Sequence, residues 1–171
     1  MDTNHKIETI VRTFNMLPHP EGGFYKETYR SKELISKEAL TGSFSGDRNY
    51  STAIYFLITE GNFSAFHRIK QDEIWHFYHG DALEVHVIYP DGNYHCHKVS
   101  NKITSDDVPQ LVVPAGSWFA STVEKGGKYA FVGCTVAPGF DFADFELAER
   151  ETLLKTYPQY KKVIEQLTRT Q

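Results

Sequence analysis

The chain has 171 residues, 40% of them hydrophobic and 14% aromatic, and a formal net charge of -4 at pH 7. That length buries one sizeable core and is short for two, so one domain over residues 1–171 is expected. Lysines and arginines do not cluster beyond Lys161-Lys162, which excludes the basic stripe a nucleic-acid backbone needs.

No membrane partner is expected either. Met1-Asp2-Thr3-Asn4-His5-Lys6 lacks an apolar export core, and no window approaches the length of a membrane-spanning helix. Cys96 and Cys134 are the two cysteines, a number that suits free thiols in a cytoplasmic protein better than a disulfide framework.

In chain order, Ile7, Ile10, Val11, Phe14 and Leu17 recur at helical spacing, predicting a helix over about 4–17 that stops before Pro18 and lids one face of the strands after it. His19-Pro20-Glu21-Gly22-Gly23-Phe24-Tyr25 reads as a turn feeding the first strand, its glycines permitting backbone angles that side chains forbid. Glu21, Tyr25 and Arg30 then reach the pocket rim or a dimer partner.

From about residue 22 to 137 the texture changes to short aromatic and β-branched runs, divided at Thr41-Gly42, Ser45-Gly46, Pro90-Asp91-Gly92 and Lys125-Gly126-Gly127. Strands at such intervals predict a sandwich or jelly roll, with Glu38 to Arg48 as a flexible loop. The tail is expected to be helical over about 142–168, with Asp141 as a cap and Pro158 in the first turn of the last helix.

The segment Gly61 to Gly80, GNFSAFHRIKQDEIWHFYHG, carries the chemistry. Residues two apart on a strand share a face, so His67 and Ile69 point the same way, with Ala65 and Phe63 behind them. Lys70-Gln71-Asp72 reads as a hairpin turn returning as Glu73-Ile74-Trp75-His76-Phe77-Tyr78. If Ile69 lies opposite Glu73, His67 faces Trp75 and sits diagonal to Glu73 at a Cβ separation of roughly 7 Å. Downstream, His95-Cys96-His97 sets two imidazoles on one face of a strand; with no third ligand placed nearby, an exposed edge strand is the favoured reading over a metal site.

Gly61, His67, Glu73 and Gly80 fall in register with GX(5)HXHX(3)EX(6)G, and Pro114 and Gly116 with part of PXGX(2)HX(3)N. The chain therefore resembles the cupin superfamily. The runs around Pro18–Tyr25, Pro109–Phe119 and Val136–Asp141 are similar to its small single-domain cupin-five family of unknown function. The resemblance implies a mainly β jelly-roll barrel with flanking terminal helices, commonly a homodimer.

Ile69 and Phe119 stand where that pattern has histidines and Val123 where it has asparagine, so His67 and Glu73 are left with water and no metal or other cofactor is expected. Without a metal, His67 is the candidate general base and Glu73 the carboxylate that orients it. Trp75, Phe77, Ser117 and Phe119 are expected at the barrel mouth, with Tyr25 and Tyr129 as further ligand-binding candidates.

The leading expectation is a small-molecule-binding protein, its ligand a nucleotide sugar or purine-like metabolite. Two alternatives stay open. One, implied by metal-free cupin-like epimerases, is an epimerase or isomerase of nucleotide-linked keto-deoxysugars using His67 as base; the other is a metal-dependent cupin enzyme.

Overall fold

In the computed structural model, which describes residues 3–41, 44–102 and 106–170, most strands form two facing six-stranded sheets, and Leu34–Ile35 pairs apart from them with Arg48–Asn49. The first runs in the order Leu17–Pro18, Phe24–Arg30, Thr52–Thr59, Tyr129–Ala137, Asp72–Gly80, Gln110–Val113. The second runs Asp107–Val108, Tyr94–Val99, Leu83–Ile88, Trp118–Val123, Phe63–Arg68, Glu146–Leu147. Pairing is antiparallel apart from Asp107–Val108 on Lys98–Val99. Neighbours distant in sequence give the crossed order of a jelly roll.

Strand alternation explains what fills the space between the sheets. Leu83, Val85 and Val87 of one strand point inward, as do Ala130, Val132, Cys134 and Val136 of another, and they meet Phe56, Trp75 and Phe119. Each large apolar side chain so buried contributes about 1.5–3 kcal/mol. Pro90-Asp91-Gly92 and Lys125-Gly126-Gly127 make the expected turns, closed by Gly92 N–H to Tyr89 O at 2.8 Å and Gly127 N–H to Glu124 O at 2.9 Å. Gly42 of the Thr41-Gly42 signal lies outside the described residues.

The helices cover the outer faces. Helix Thr3–Thr13 lays Ile7, Ile10 and Val11, together with Phe14 just beyond it, on Leu57, Tyr129 and Phe131 of the first sheet. It ends earlier than its apolar spacing suggested, because Asn15 adopts a φ of 49° and Leu17–Pro18 pairs as a strand with Phe24 and Tyr25. At the other end, Leu153, Ile164 and Leu167 of helices Arg150–Thr156 and Lys161–Leu167 pack on Phe66, Ile88 and Ala120 of the second sheet. No helix among the described residues is long and apolar enough to cross a membrane.

Four local expectations need correction. The tail does not become helical at Phe142: Phe142–Asp144 is a short 3-10 turn capped by Asp141, and Glu146–Leu147 joins the second sheet beside Arg68 and His67. Lys70-Gln71-Asp72 is not a hairpin turn, because it carries the chain from one sheet to the other; His67 pairs with Phe119 and Leu147, while Trp75 pairs with Cys134 and Leu111. The far end of the Glu38–Arg48 loop is pinned, since the buried Arg48 guanidinium makes two 2.7 Å bonds to Asp144. Finally, Phe63 does not share the face of His67. A β-bulge sets both Ala65 and Phe66 against Ala120, which reverses the alternation and sends Phe63 outward beneath Arg169.

The turn before the first long strand depends on its two glycines. At φ of 116° and 76°, Gly22 and Gly23 lie so close to neighbouring strands that a Cβ on Gly22 would collide with the Phe63 carbonyl oxygen, and one on Gly23 would sit 2.6 Å from Ile58 Cδ1. This close approach drives Glu21 inward until 5% of it is exposed. Gly22→Ala is expected to destabilise the fold by about 2 kcal/mol or more, whereas Gly46→Ala, whose Cβ would find its nearest neighbour at 3.7 Å, stays within about 0.5 kcal/mol. Urea unfolding of both variants checks the contrast.

Candidate functional site

A cavity of about 330 Å³ opens between the sheets at one end of the barrel, with Glu21, His67, Glu73 and Cys134 in its wall. His67 reaches it from strand Phe63–Arg68, Ile69 from just past the end of that strand, Glu73 from the strand beyond the crossing, and Glu21 from the glycine turn. Phe140, Phe142 and Phe145, brought by the segment after the last barrel strand, form an aromatic side together with Tyr25 and His19. Arg30 sits at the cavity with its guanidinium bound to Glu27 at 2.7 and 3.0 Å, to Asn49 Oδ1 at 2.8 Å and to the Phe140 carbonyl at 3.1 Å.

The partner of His67 is Glu21, at 2.7 Å from Nε2 to Oε2, and not the Glu73 that sequence spacing offered as its orienter. The bulge supplies the other contact: it frees the Ala65 carbonyl, which accepts from His67 Nδ1 at 2.7 Å, while the Ala65 N–H donates to the Glu21 carbonyl at 2.8 Å. With acceptors on both ring nitrogens, the imidazole carries two protons and is cationic. Burial works against that charge, but the Glu21 carboxylate outweighs it and raises the His67 pKa. Burial likewise pushes Glu21 up, yet the His67 cation and its hydrogen bond bring the carboxyl below its ordinary value. His67 therefore has no lone pair to take a substrate proton while this pair is intact.

Glu73 differs in kind. It is 8% exposed, and burial pushes its carboxyl up to about 7, with the Glu21 charge adding to the push and the His67 cation and the Cys134 thiol opposing it. A carboxyl that gains and loses a proton near neutrality, in a cavity with aromatic walls, is suited to general acid–base work or to donating a hydrogen bond.

Of the other sequence candidates, Tyr25 lines the cavity. Trp75 and Phe119 do not stand at its mouth. Each is 1% exposed and packed in the core behind it, with the Phe119 ring 4.1 Å from that of His67. Phe77 packs against the same core, and Ser117 is 1% exposed. Tyr129 is on the outer face beneath the amino-terminal helix, its hydroxyl 2.8 Å from His79 Nδ1. Trp75 and Phe119 plug the barrel because small barrels have room inside for little but side chains. Phe142 and Phe145 carried only a helical spacing that pointed away from the cavity, and Phe140 and His19 carried none; Glu21 stood as an acid directly before a glycine pair.

The residues do not fit the metal that barrels of this kind often hold. Ile69 and Phe119 offer no donor, and His67 has both nitrogens engaged.

Two sheets wrapped in jelly-roll order around a cavity at one end define a cupin-type barrel. The chain belongs to the Cupin superfamily family DUF985, Cupin_5, whose model matches residues 8–148. An uncharacterised protein of Saccharomyces cerevisiae is 31% identical over 158 residues, covering 87% of this chain and 78% of the yeast protein. Among solved structures, a Shewanella oneidensis protein matches with a TM-score of 0.86 and 35% identity, covering 96% of this chain and 98% of that one. A hypothetical protein of Leishmania major matches with a TM-score of 0.87 and 34% identity over 95% and 98% of the two chains.

The buried groups make two measurable expectations. Glu21→Ala leaves the His67 cation without its counter-charge and costs about 3–5 kcal/mol in denaturant unfolding. Glu73 binds its proton more tightly in the folded protein than in the unfolded chain, so its contribution is full below the ordinary carboxyl range and is lost as pH rises through about 7. Glu73→Gln removes that loss. The melting temperature of Glu73→Gln relative to the parent is expected to rise between pH 5 and pH 8, by the equivalent of about 1–3 kcal/mol. A difference that stays level across that range contradicts the assignment.

Proposed function

We propose that this protein binds a small, flat, uncharged or weakly basic metabolite in the cavity beside Glu73, and that Glu73 exchanges a hydrogen bond or a proton with it. The observation that carries this reading is the buried carboxyl, pushed up to about 7, facing a cavity walled on one side by phenylalanines. A volume of about 330 Å³ is at the small end of ligand pockets and matches a purine or a monosaccharide better than a whole nucleotide sugar.

Charge supports the same choice. His67 is paired with Glu21 and Arg30 with Glu27, so neither cation is free to neutralise an incoming phosphate. The aromatic rings offer stacking surface, and the carboxyl of Glu73 and the rim groups offer donors and acceptors that fix orientation.

A second reading, a proton-transferring isomerase or epimerase, is favoured by the same titration, with Glu73 in place of His67 as the group that moves the proton. Nucleotide-linked keto-sugars offered in deuterated water test it: deuterium uptake next to the ketone, lost in Glu73→Gln, supports turnover, and its absence opposes it.

Thermal-shift screening with purines, nucleosides, monosaccharides and nucleotide sugars tests the binding reading. A ligand at about 100 times its Kd stabilises the native state by about 2.7 kcal/mol, a shift of several degrees. The expected hit is uncharged or weakly basic, and its affinity changes across pH 7 in the parent but not in Glu73→Gln. A preference for phosphorylated compounds, or no stabilisation by any of them, counts against the proposal.

A further inference from the structure

A second group of chemically reactive side chains lies on the outer face of the second sheet, away from the cavity. Strand Leu83–Ile88 points Leu83, Val85 and Val87 into the core and Glu84 and His86 outward. Its neighbour Tyr94–Val99 pairs Cys96 directly with His86, Lys98 with Glu84 and Tyr94 with Ile88. On this outer face the carboxyl-terminal helices pack against Ile88 and Tyr94, the Tyr94 ring 5.2 Å from that of Tyr160. One step further along both strands come His86 and Cys96, then Glu84.

The ligand atoms of Glu84, His86 and Cys96 all lie within 4.8 Å of one another. We propose that these three side chains form a binding site for a thiophilic divalent cation, Zn²⁺ being the best match, on the outer face of the second sheet. A carboxylate oxygen, an imidazole nitrogen and a thiolate are the three donor types Zn²⁺ accepts, and three protein ligands leave the fourth tetrahedral position to water. Bonds of about 2.0–2.3 Å require donors about 3.5 Å apart, so the side chains need to close by an ångström or so, within the reach of their rotamers.

The surroundings already hold the imidazole in place. His86 Nδ1 meets the Tyr94 hydroxyl at 2.8 Å, which leaves Nε2 for the ion and supplies the outer hydrogen bond that ligating histidines ordinarily have. Lys98, the nearest cation, is drawn toward Glu124 at 3.4 Å and stands 3.9 Å from Glu84, so it is not locked onto the carboxylate that would bind. The flanking His95 and His97 point to the other face, their rings 4.7 Å apart and His97 Nε2 bonded to the Tyr89 hydroxyl at 2.7 Å. The sequence triplet thus divides: its cysteine, and not its histidines, belongs to the three-residue group.

Binding replaces the S–H bond of Cys96 by an S–Zn bond and releases the proton to solvent, so affinity falls as pH is lowered. Calorimetric titration of the chelator-stripped full chain with Zn²⁺ tests the site. The expected result is one ion per chain, with about one proton released when buffers of different ionisation heat are compared. Affinity drops about tenfold or more in Cys96→Ser and in His86→Ala, and is retained in His95→Ala and Glu73→Gln.

Because His86 is partly buried and its loss perturbs packing, Co²⁺ absorption of the parent and of Cys96→Ser gives a second reading through the exposed thiol. A sulfur-to-cobalt band in the parent that vanishes in Cys96→Ser supports the site. No uptake by the parent, binding undiminished in Cys96→Ser, or loss of binding in His95→Ala overturns it.

Discussion

The buried pair of Glu21 and His67 is the contact on which the cavity depends. Taking two ions out of water costs several kcal/mol each, and that cost is recovered only with good geometry and every remaining donor satisfied. Here the 2.7 Å contact, the Ala65 carbonyl on the second ring nitrogen and the inward turn at Gly22-Gly23 meet those conditions together. Remove any one and a charge is stranded inside the barrel. The β-bulge, a local defect in pairing, is the device that frees the carbonyl.

The apolar side chains that offer no donor beside His67 also shape the surroundings of Glu73. Ile69 lines the cavity with Glu73, Phe119 packs on His67, and burial among such apolar groups disfavours the Glu73 anion. One carboxyl thereby becomes titratable near neutrality while another, Glu21, is held ionised only ångströms away by the imidazolium. Two acids in one cavity, with opposite protonation tendencies, is the arrangement from which acid–base function arises.

The barrel was legible in the sequence because strand alternation, turn glycines and motif register all act locally. So was the convergence of His67 and Glu73 on one cavity, though the chain reaches it by another route. Strand parity predicts facing residues only where consecutive strands pair, and here Lys70-Gln71-Asp72 crosses between sheets, which puts Phe119 and not Trp75 beside His67. The aromatic side of the cavity was illegible for a different reason. Phe140, Phe142 and Phe145 lie in a segment whose apolar spacing suits a helix, and only tertiary packing over the cavity and strand pairing at Glu146–Leu147 decide otherwise. Glu21 sat in a run that read as a turn reaching the pocket rim, but nothing local marked it as the partner of His67.

The counter-ion of His67 comes from ahead of the barrel strands and the phenylalanine wall from behind them. A chain cut short before Phe140 therefore keeps both Glu21 and His67 yet lacks the phenylalanine side of the cavity. The cavity is thus a property of the whole chain, enclosed by segments that flank the barrel on both sides rather than by the barrel strands alone.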